Sequence, residues 1–368
     1  MMITYCTNIH PGERWDDVRG ALFRHLPAIK SAVSPDEPFP IGLRLSHRAA
    51  QEISEGMSRE LLDWCEEQGC FIPTINGFPY GDFHAKAVKE RVYLPDWRSP
   101  ERVSYTKRLA DVLDFWLPPG VTGSISTVPV GFKRFIQGTD YPAITRNLIS
   151  VLEHLSGLSQ RSGKHIILAL EAEPGCVLET TDDIVDFFDT IPVPLGLREH
   201  LGICFDCCHQ AVLFEDPAAS LASLSAAGIR IGKVQVSSAL RLTDFDRGGK
   251  GIFQEPVYLH QVAIRRHGDI IRYDDLPEAL ANHRSSPGEE WRVHFHMPIF
   301  MEGTSSYGTT RSFIEEMIPL LSGDTLLEVE TYTWSVLPPD MRSGSITESI
   351  CRELLWLRSK VDETNCSP

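Results

Sequence analysis

The chain has 368 residues, 42% hydrophobic and 23% charged, which suits a large packed core and excludes a disordered chain. Its formal charge of −15, from 35 Lys and Arg against 50 Asp and Glu, counts against nucleic acid as a partner, and no basic cluster offsets it. Nine scattered cysteines argue against a disulfide scaffold; with no secretory signal at 1–13 and no apolar run near the ~20 residues of a membrane span, a reducing, cytoplasmic location is expected.

Short β-branched or apolar runs alternate with longer amphipathic segments. The strand candidates lie at 2–8, 41–46, 71–76, 123–128, 165–173, 201–206, 231–237, 291–297 and 325–331. The helical period predicts helices over 14–32, 101–116, 143–161, 312–321 and 347–360; in the last, Ile350, Leu354, Leu355 and Leu357 recur near that spacing. Such alternation reads as βαβ units and a parallel sheet. Polar residues close most of the runs: Asn8, Ser46, Asn76, Glu171, Asp206, Gln235, His296 and Glu330. Units that continue without a break in composition, with polar strand ends, predict an α/β fold, a (β/α)8 TIM barrel forming one domain over 1–368, with its active face at those ends. Nine candidates exceed eight places, so one strand lies outside the barrel. The irregular stretch 238–290 is expected to be an insertion over the active face. Within it, DFDRGGKG at 244–251 reads as a flexible loop rather than a phosphate cradle. No G-x-G-x-x-G follows the first strand, and there is no P-loop or G-x-S-x-G elbow.

The chemistry lies in a series of strand ends. Glu171 and Glu173 close one run, Asp206 and His209 the next, then Gln235, then His294 and His296, then Glu328 and Glu330. Strand residues two apart share a face, so each pair can point into one mouth. Carboxylates and imidazoles meeting there repel without a cation, and a divalent ion (Mn²⁺, Mg²⁺, Co²⁺ or Zn²⁺) resolves the conflict. Asn76, Glu173, His209 and His294 are expected to face a substrate. Arg44 either clamps a phosphate or carboxylate of that substrate or pairs with a carboxylate inside the barrel. The cysteines of GICFDCCHQ adjoin Asp206, whose charge suppresses a thiolate, and Cys204 with Cys207 lack a second ligand pair.

The ordered series LALEAEPG, FDCCH, KVQVS and LEVETYTW resembles the xylose isomerase-like TIM-barrel superfamily, which holds sugar isomerases, ketose 3-epimerases and the endonuclease IV group. The resemblance implies that Glu171, Asp206 and Glu330 bind a divalent metal, that the two glutamates exchange the substrate proton, and that His209 contacts substrate. Gln235 stands where that pattern has a metal-binding histidine, and His296 is the candidate for the vacant place. Longer motifs, among them TINGFPYGDFH, VKERVYLPDWR, VHFHMPIF and LEVETYTWSVLP, resemble the Ebo-type metabolite-traffic proteins of the EboE group. That resemblance implies a small-molecule metabolite, a setting in secondary-metabolite processing or export, and other proteins of the same operon as partners, without nucleic acid or membrane insertion.

The expected activity is therefore a metal-dependent isomerase or epimerase of a small polyhydroxylated or sugar-phosphate-like metabolite. Two rival readings remain: a metal-dependent hydrolase or lyase of endonuclease IV type, and a non-catalytic carrier whose metal site is degenerate at Gln235.

Overall fold

The computed structural model describes residues 1–81, 88–242, 253–284, 286–303, 307–342 and 344–365; the 244–251 stretch lies outside them. Eight parallel strands form the barrel: β1 (Met2–Tyr5), β2 (Phe39–Arg44), β3 (Cys70–Asn76), β4 (Thr122–Thr127), β5 (His165–Glu171), β6 (Leu201–Asp206), β7 (Arg230–Val236) and β13 (Leu326–Val329). Their order is β1-β13-β7-β6-β5-β4-β3-β2, and a parallel bridge from Cys6 to Gly42 brings the two ends together. This is the nearly closed α/β barrel that the alternating pattern predicts.

The helices pack outside with their apolar stripes inward. In Trp15–Val33, Leu22, Leu26 and Ile29 are fully buried; in Tyr141–Ser162, Leu148, Leu152 and Leu155 are. Their three- and four-residue spacing puts each set on one helix face. Ser54 caps Glu55–Gln68, accepting from the Met57 amide, and Gly69 ends that helix at φ +65.

The strand candidate at 291–297 is the one outside the barrel. Between β7 and β13 a five-stranded antiparallel sheet is inserted: β8 (Ser238–Leu242), β9 (Val262–Arg266), β10 (Asp269–Tyr273), β11 (Glu290–Met297) and β12 (Gly308–Thr309), in the order β10-β9-β11-β8-β12. The insertion thus runs past the expected limit of 290. Strand β11 alternates. Trp291, Val293, Phe295 and Met297 enter the sheet's own core with Leu240, Val262 and Ile264. His294 and His296 take the other face.

Inside the barrel one layer is polar. Lys233 of β7 and Glu328 of β13, both fully buried, form an ion pair. Asn76 Nδ2 donates to Glu328 Oε1 at 2.8 Å, and Lys233 Nζ and Ser126 Oγ donate to Asn76 Oδ1 at 2.5 and 3.0 Å. Gly42 makes room for this layer. A Cβ there would fall 1.8 Å from Glu328 Oε1 and 2.7 Å from the Tyr5 carbonyl oxygen.

Candidate metal centre and pocket

Three carboxylates meet where β5, β6 and β13 end. Glu171, Asp206 and Glu330 each place an oxygen within 4.8 Å of the others, and all three are buried. Asp206 also caps the short helix Cys207–Val212: its Oδ1 accepts from the His209 amide at 2.9 Å and from Ser237 Oγ at 2.8 Å. Its buried Oδ2 has no partner. Glu330 Oε1 accepts from Asn8 Nδ2 at 2.7 Å.

Burial raises the Glu171 carboxyl to about 7, with Asp206 adding to the rise and His209 opposing it. Burial, then Glu171 and Asp206, raises Glu330 well above the ordinary carboxylate range. The nearby buried cation, Lys233, is already committed to Glu328. Three buried carboxylates with an orphaned oxygen are the donor set for a divalent cation, whose charge cancels their repulsion.

One layer outward is an imidazole cluster. His294 Nε2 lies 3.1 Å from His209 Nε2 and 3.1 Å from His296 Nε2. His209 sits one helical turn after Asp206; His294 and His296 descend from the inserted sheet. The pairing of β11 with β8 is irregular between Val293 and His296, and such a bulge re-aims side chains. Glu173, just past β5, accepts from Tyr93 OH at 2.7 Å through Oε1, while its buried Oε2 has no partner. Three further ligand sets emerge: Glu173, His209 and His294; Asp206, His209 and His296; Cys208, His294 and His296.

Electrostatics separates the imidazoles. Burial lowers His209, but Asp206, Glu173 and Glu171 more than offset it, and the net shift is upward. Burial, then the neighbouring histidines, pushes His294 well down. Burial is also the largest cause at His296, which falls to about 4.

The structure brings Glu171, Glu173, Asp206, His209, His294, His296 and Glu330 to one mouth. It draws the other candidates elsewhere. Gln235 is fully buried in the polar layer, its amide 2.9 Å from Asn76 Oδ1 and 3.0 Å from Glu328 Oε2. Asn76 lies in that same layer, 2% exposed, with both polar atoms engaged. Arg44 donates to the carbonyls of Gly12, Pro79 and Gly81 and pairs with Glu13 at 2.8 Å, so it clamps loops. Within each glutamate pair the layers differ: Glu171 and Glu330 are in the carboxylate set, Glu173 is above it and Glu328 below. The eight described cysteines are free thiols.

Above the carboxylates a narrow pocket is walled by Phe78, Val88, Val92, Tyr93, Tyr258, Leu259 and Tyr332. Glu171, Glu173, His209, His294 and Glu330 line its polar side, and no Lys or Arg appears among the described lining residues. Tyr93, Tyr258 and Gln261 escaped the sequence reading, and Cys208, set aside there as a thiol, stands beside His294 and His296. Tyr332 stood in plain view two residues after Glu330; Gln261 lies in an irregular stretch with no periodic signal.

A scan against family models finds no match, and neither does a search of curated proteins. Solved structures do match. A zinc-bound IOLI protein aligns over 100% of both chains at TM-score 0.51 and 14% identity. A xylose isomerase domain protein from Planctomyces limnophilus aligns over 93% of this chain and 94% of its own at 0.55 and 14%. A D-tagatose 3-epimerase-like protein aligns over 99% and 98% at 0.54 and 13%. The chain thus shares the (β/α)8 barrel fold of these proteins. No helix among the described residues is long and apolar enough to cross a membrane.

Proposed function

We propose that the protein is a metal-dependent isomerase or epimerase of a small, neutral hydroxy-carbonyl metabolite. The observation that carries this reading is the convergence of Glu171 and Glu330 from separate barrel strands onto one buried point beside Asp206. Glu171, Asp206 and Glu330 would hold a divalent ion, with His296 of the inserted sheet as a further donor in place of Gln235. Such an ion, when bound, polarises a carbonyl and acidifies the adjacent C–H. Glu171 and Glu330 reach the substrate from different strands, so one removes the proton and the other returns it on the opposite face. His209 and Glu173 orient hydroxyls, and the tyrosine and phenylalanine walls keep water out.

A described lining that carries three carboxylates and no Lys or Arg favours a neutral substrate over a phosphorylated one. The long motifs that resemble the EboE group support a place in secondary-metabolite processing or export, with proteins of the same operon as partners.

The test is solvent exchange. Protein loaded with Mn²⁺, Co²⁺ or Zn²⁺ is incubated in D2O with a panel of ketoses and cyclic hydroxy-ketones, and loss of the C–H signal is followed by NMR. Exchange that disappears in Glu171→Gln and Glu330→Gln supports the mechanism. Exchange that persists undiminished in both variants refutes it.

A further inference from the structure

No run of the sequence is basic, yet the inserted sheet gathers three arginines on one face. Arg241 of β8, Arg292 of β11 and Arg265 of β9 stand on adjacent strands, on the face turned away from Trp291 and Val293. All three converge on one carboxylate. Arg292 Nε lies 2.7 Å from Glu290 Oε1, Arg241 Nε 3.3 Å from the same oxygen, and Arg265 Nη2 3.4 Å from Oε2. Glu290 is their only ion-pair partner among the described residues. The face therefore keeps an excess of two positive charges in a chain of net charge −15.

Holding these groups together costs stability twice. Arg241 and Arg292 stand directly opposite each other in the β8–β11 pairing, and like charges so placed repel. Phe214 takes φ +62, a strained conformation for an aromatic residue. Its ring centroid lies 4.1 Å from the Arg292 guanidinium carbon and 4.4 Å from that of Arg265. The Arg241 and Arg265 side chains are 43% and 45% exposed, so the cluster is open to solvent. None of the three arginines lines the pocket over the carboxylates, and Phe214 packs on a buried apolar cluster of Cys208, Val212, Ala239 and Ala263.

We propose that Arg241, Arg265 and Arg292 bind a small phosphate monoester, at a site separate from the carboxylate centre. A phosphate monoester carries about 1.5 to 2 negative charges at neutral pH, which matches the excess. Guanidinium forks pair with its oxygens two at a time. Three cations aimed at one point suit a compact anion; an acidic peptide would need them spread along a strand. Glu290 occupies that point and competes with the ligand. Arg292 also donates to the Ala211 carbonyl at 2.6 Å, so the site abuts the end of the short helix that carries His209.

This inference goes beyond the isomerase reading and stands without it. The full chain is titrated with glycerol 1-phosphate at low salt and followed by calorimetry, with glycerol and hexaglutamate as controls. One saturable site per chain is expected. Arg241→Gln and Arg265→Gln should each weaken it by ~10-fold or more. Glu290→Gln removes the competing carboxylate and should tighten binding by a similar factor, which a purely structural ion-pair network would not do. A wild type without saturable binding overturns the proposal, as does a Glu290→Gln variant that binds no tighter. Binding unchanged in both arginine variants places the phosphate elsewhere and overturns it too. Saturable binding of hexaglutamate without binding of glycerol 1-phosphate assigns the face to an acidic protein segment instead. Should Arg241→Gln or Glu290→Gln fail to fold, Arg265→Gln decides, because that side chain is nearly half exposed at the sheet surface.

Discussion

His296 Nδ1 donates to the main-chain carbonyl of Glu330 at 2.8 Å, which ties the inserted sheet to the last barrel strand at the carboxylate cluster. The bond orients the ring and leaves Nε2 free to act as a donor. His296→Ala is expected to weaken metal binding by at least ~10-fold, measured by competition against a coloured chelator. His296→Gln should recover little of it, because an amide oxygen is a poorer ligand than an imidazole. An unchanged affinity in the alanine variant removes His296 from the centre.

Most of the barrel was legible because its strands obey simple rules. Runs such as IGLRLS and LGICFD are short, apolar and closed by a polar residue, and all eight barrel strands overlap a predicted run. What periodicity could not supply was depth. Glu328 and Glu330 share one strand face two residues apart, yet one pairs with Lys233 below and the other joins Glu171 above. Gln235 closes β7 as Asp206 closes β6, but the polar layer of Asn76 and Glu328 draws it inward. The run at 291–297 was recognisable as a strand, and its place was not. That place depends on pairing with β8 and β9, about fifty and thirty residues earlier in the chain, which no local pattern encodes.

Glu353, in the last helix Ile346–Asn365, holds the ends of two ligand-bearing strands. Its Oε2 accepts from Thr331 Oγ1 at 2.6 Å and from the Ile299 amide at 3.1 Å. Burial raises this carboxyl to about 7 from 4.5. Below pH 4.5 both folded and unfolded chains keep the proton, and its contribution is complete. Between 4.5 and about 7 the unfolded chain has released it while the folded one retains it, so stability falls as pH rises. The full effect is at most about 3 kcal/mol. Glu353→Gln stays neutral and can still accept both hydrogen bonds. Urea unfolding from pH 5 to 8 should show the variant gaining on the wild type across that range, and parallel curves would sink the assignment.

Lys233 and Glu328 are both fully buried, so neither tolerates loss of the other. Lys233→Met strands a carboxylate in the barrel interior and should cost about 3–5 kcal/mol in unfolding free energy. The double variant Lys233→Met/Glu328→Leu removes both charges and should recover part of that loss. Recovery stays incomplete because Asn76 Nδ2 loses its acceptor at 2.8 Å. A single variant as stable as the wild type contradicts the pairing.

Gly42 tests whether that polar layer is packed to its limit. An alanine Cβ would overlap Glu328 Oε1 at 1.8 Å and press on the Tyr5 carbonyl at 2.7 Å. The first contact can relax only by moving the Glu328 carboxylate away from Lys233 and Asn76; the second is backbone and cannot yield without shifting β1. Gly42→Ala should therefore destabilise by about 3 kcal/mol, at the upper end for overpacking. Adding Glu328→Ala to Gly42→Ala removes the side-chain clash but leaves Lys233 unpaired, so the pair should not return to wild-type stability. If Gly42→Ala alone unfolds at the wild-type urea midpoint, the close approach of β2 to β13's side chain is wrong.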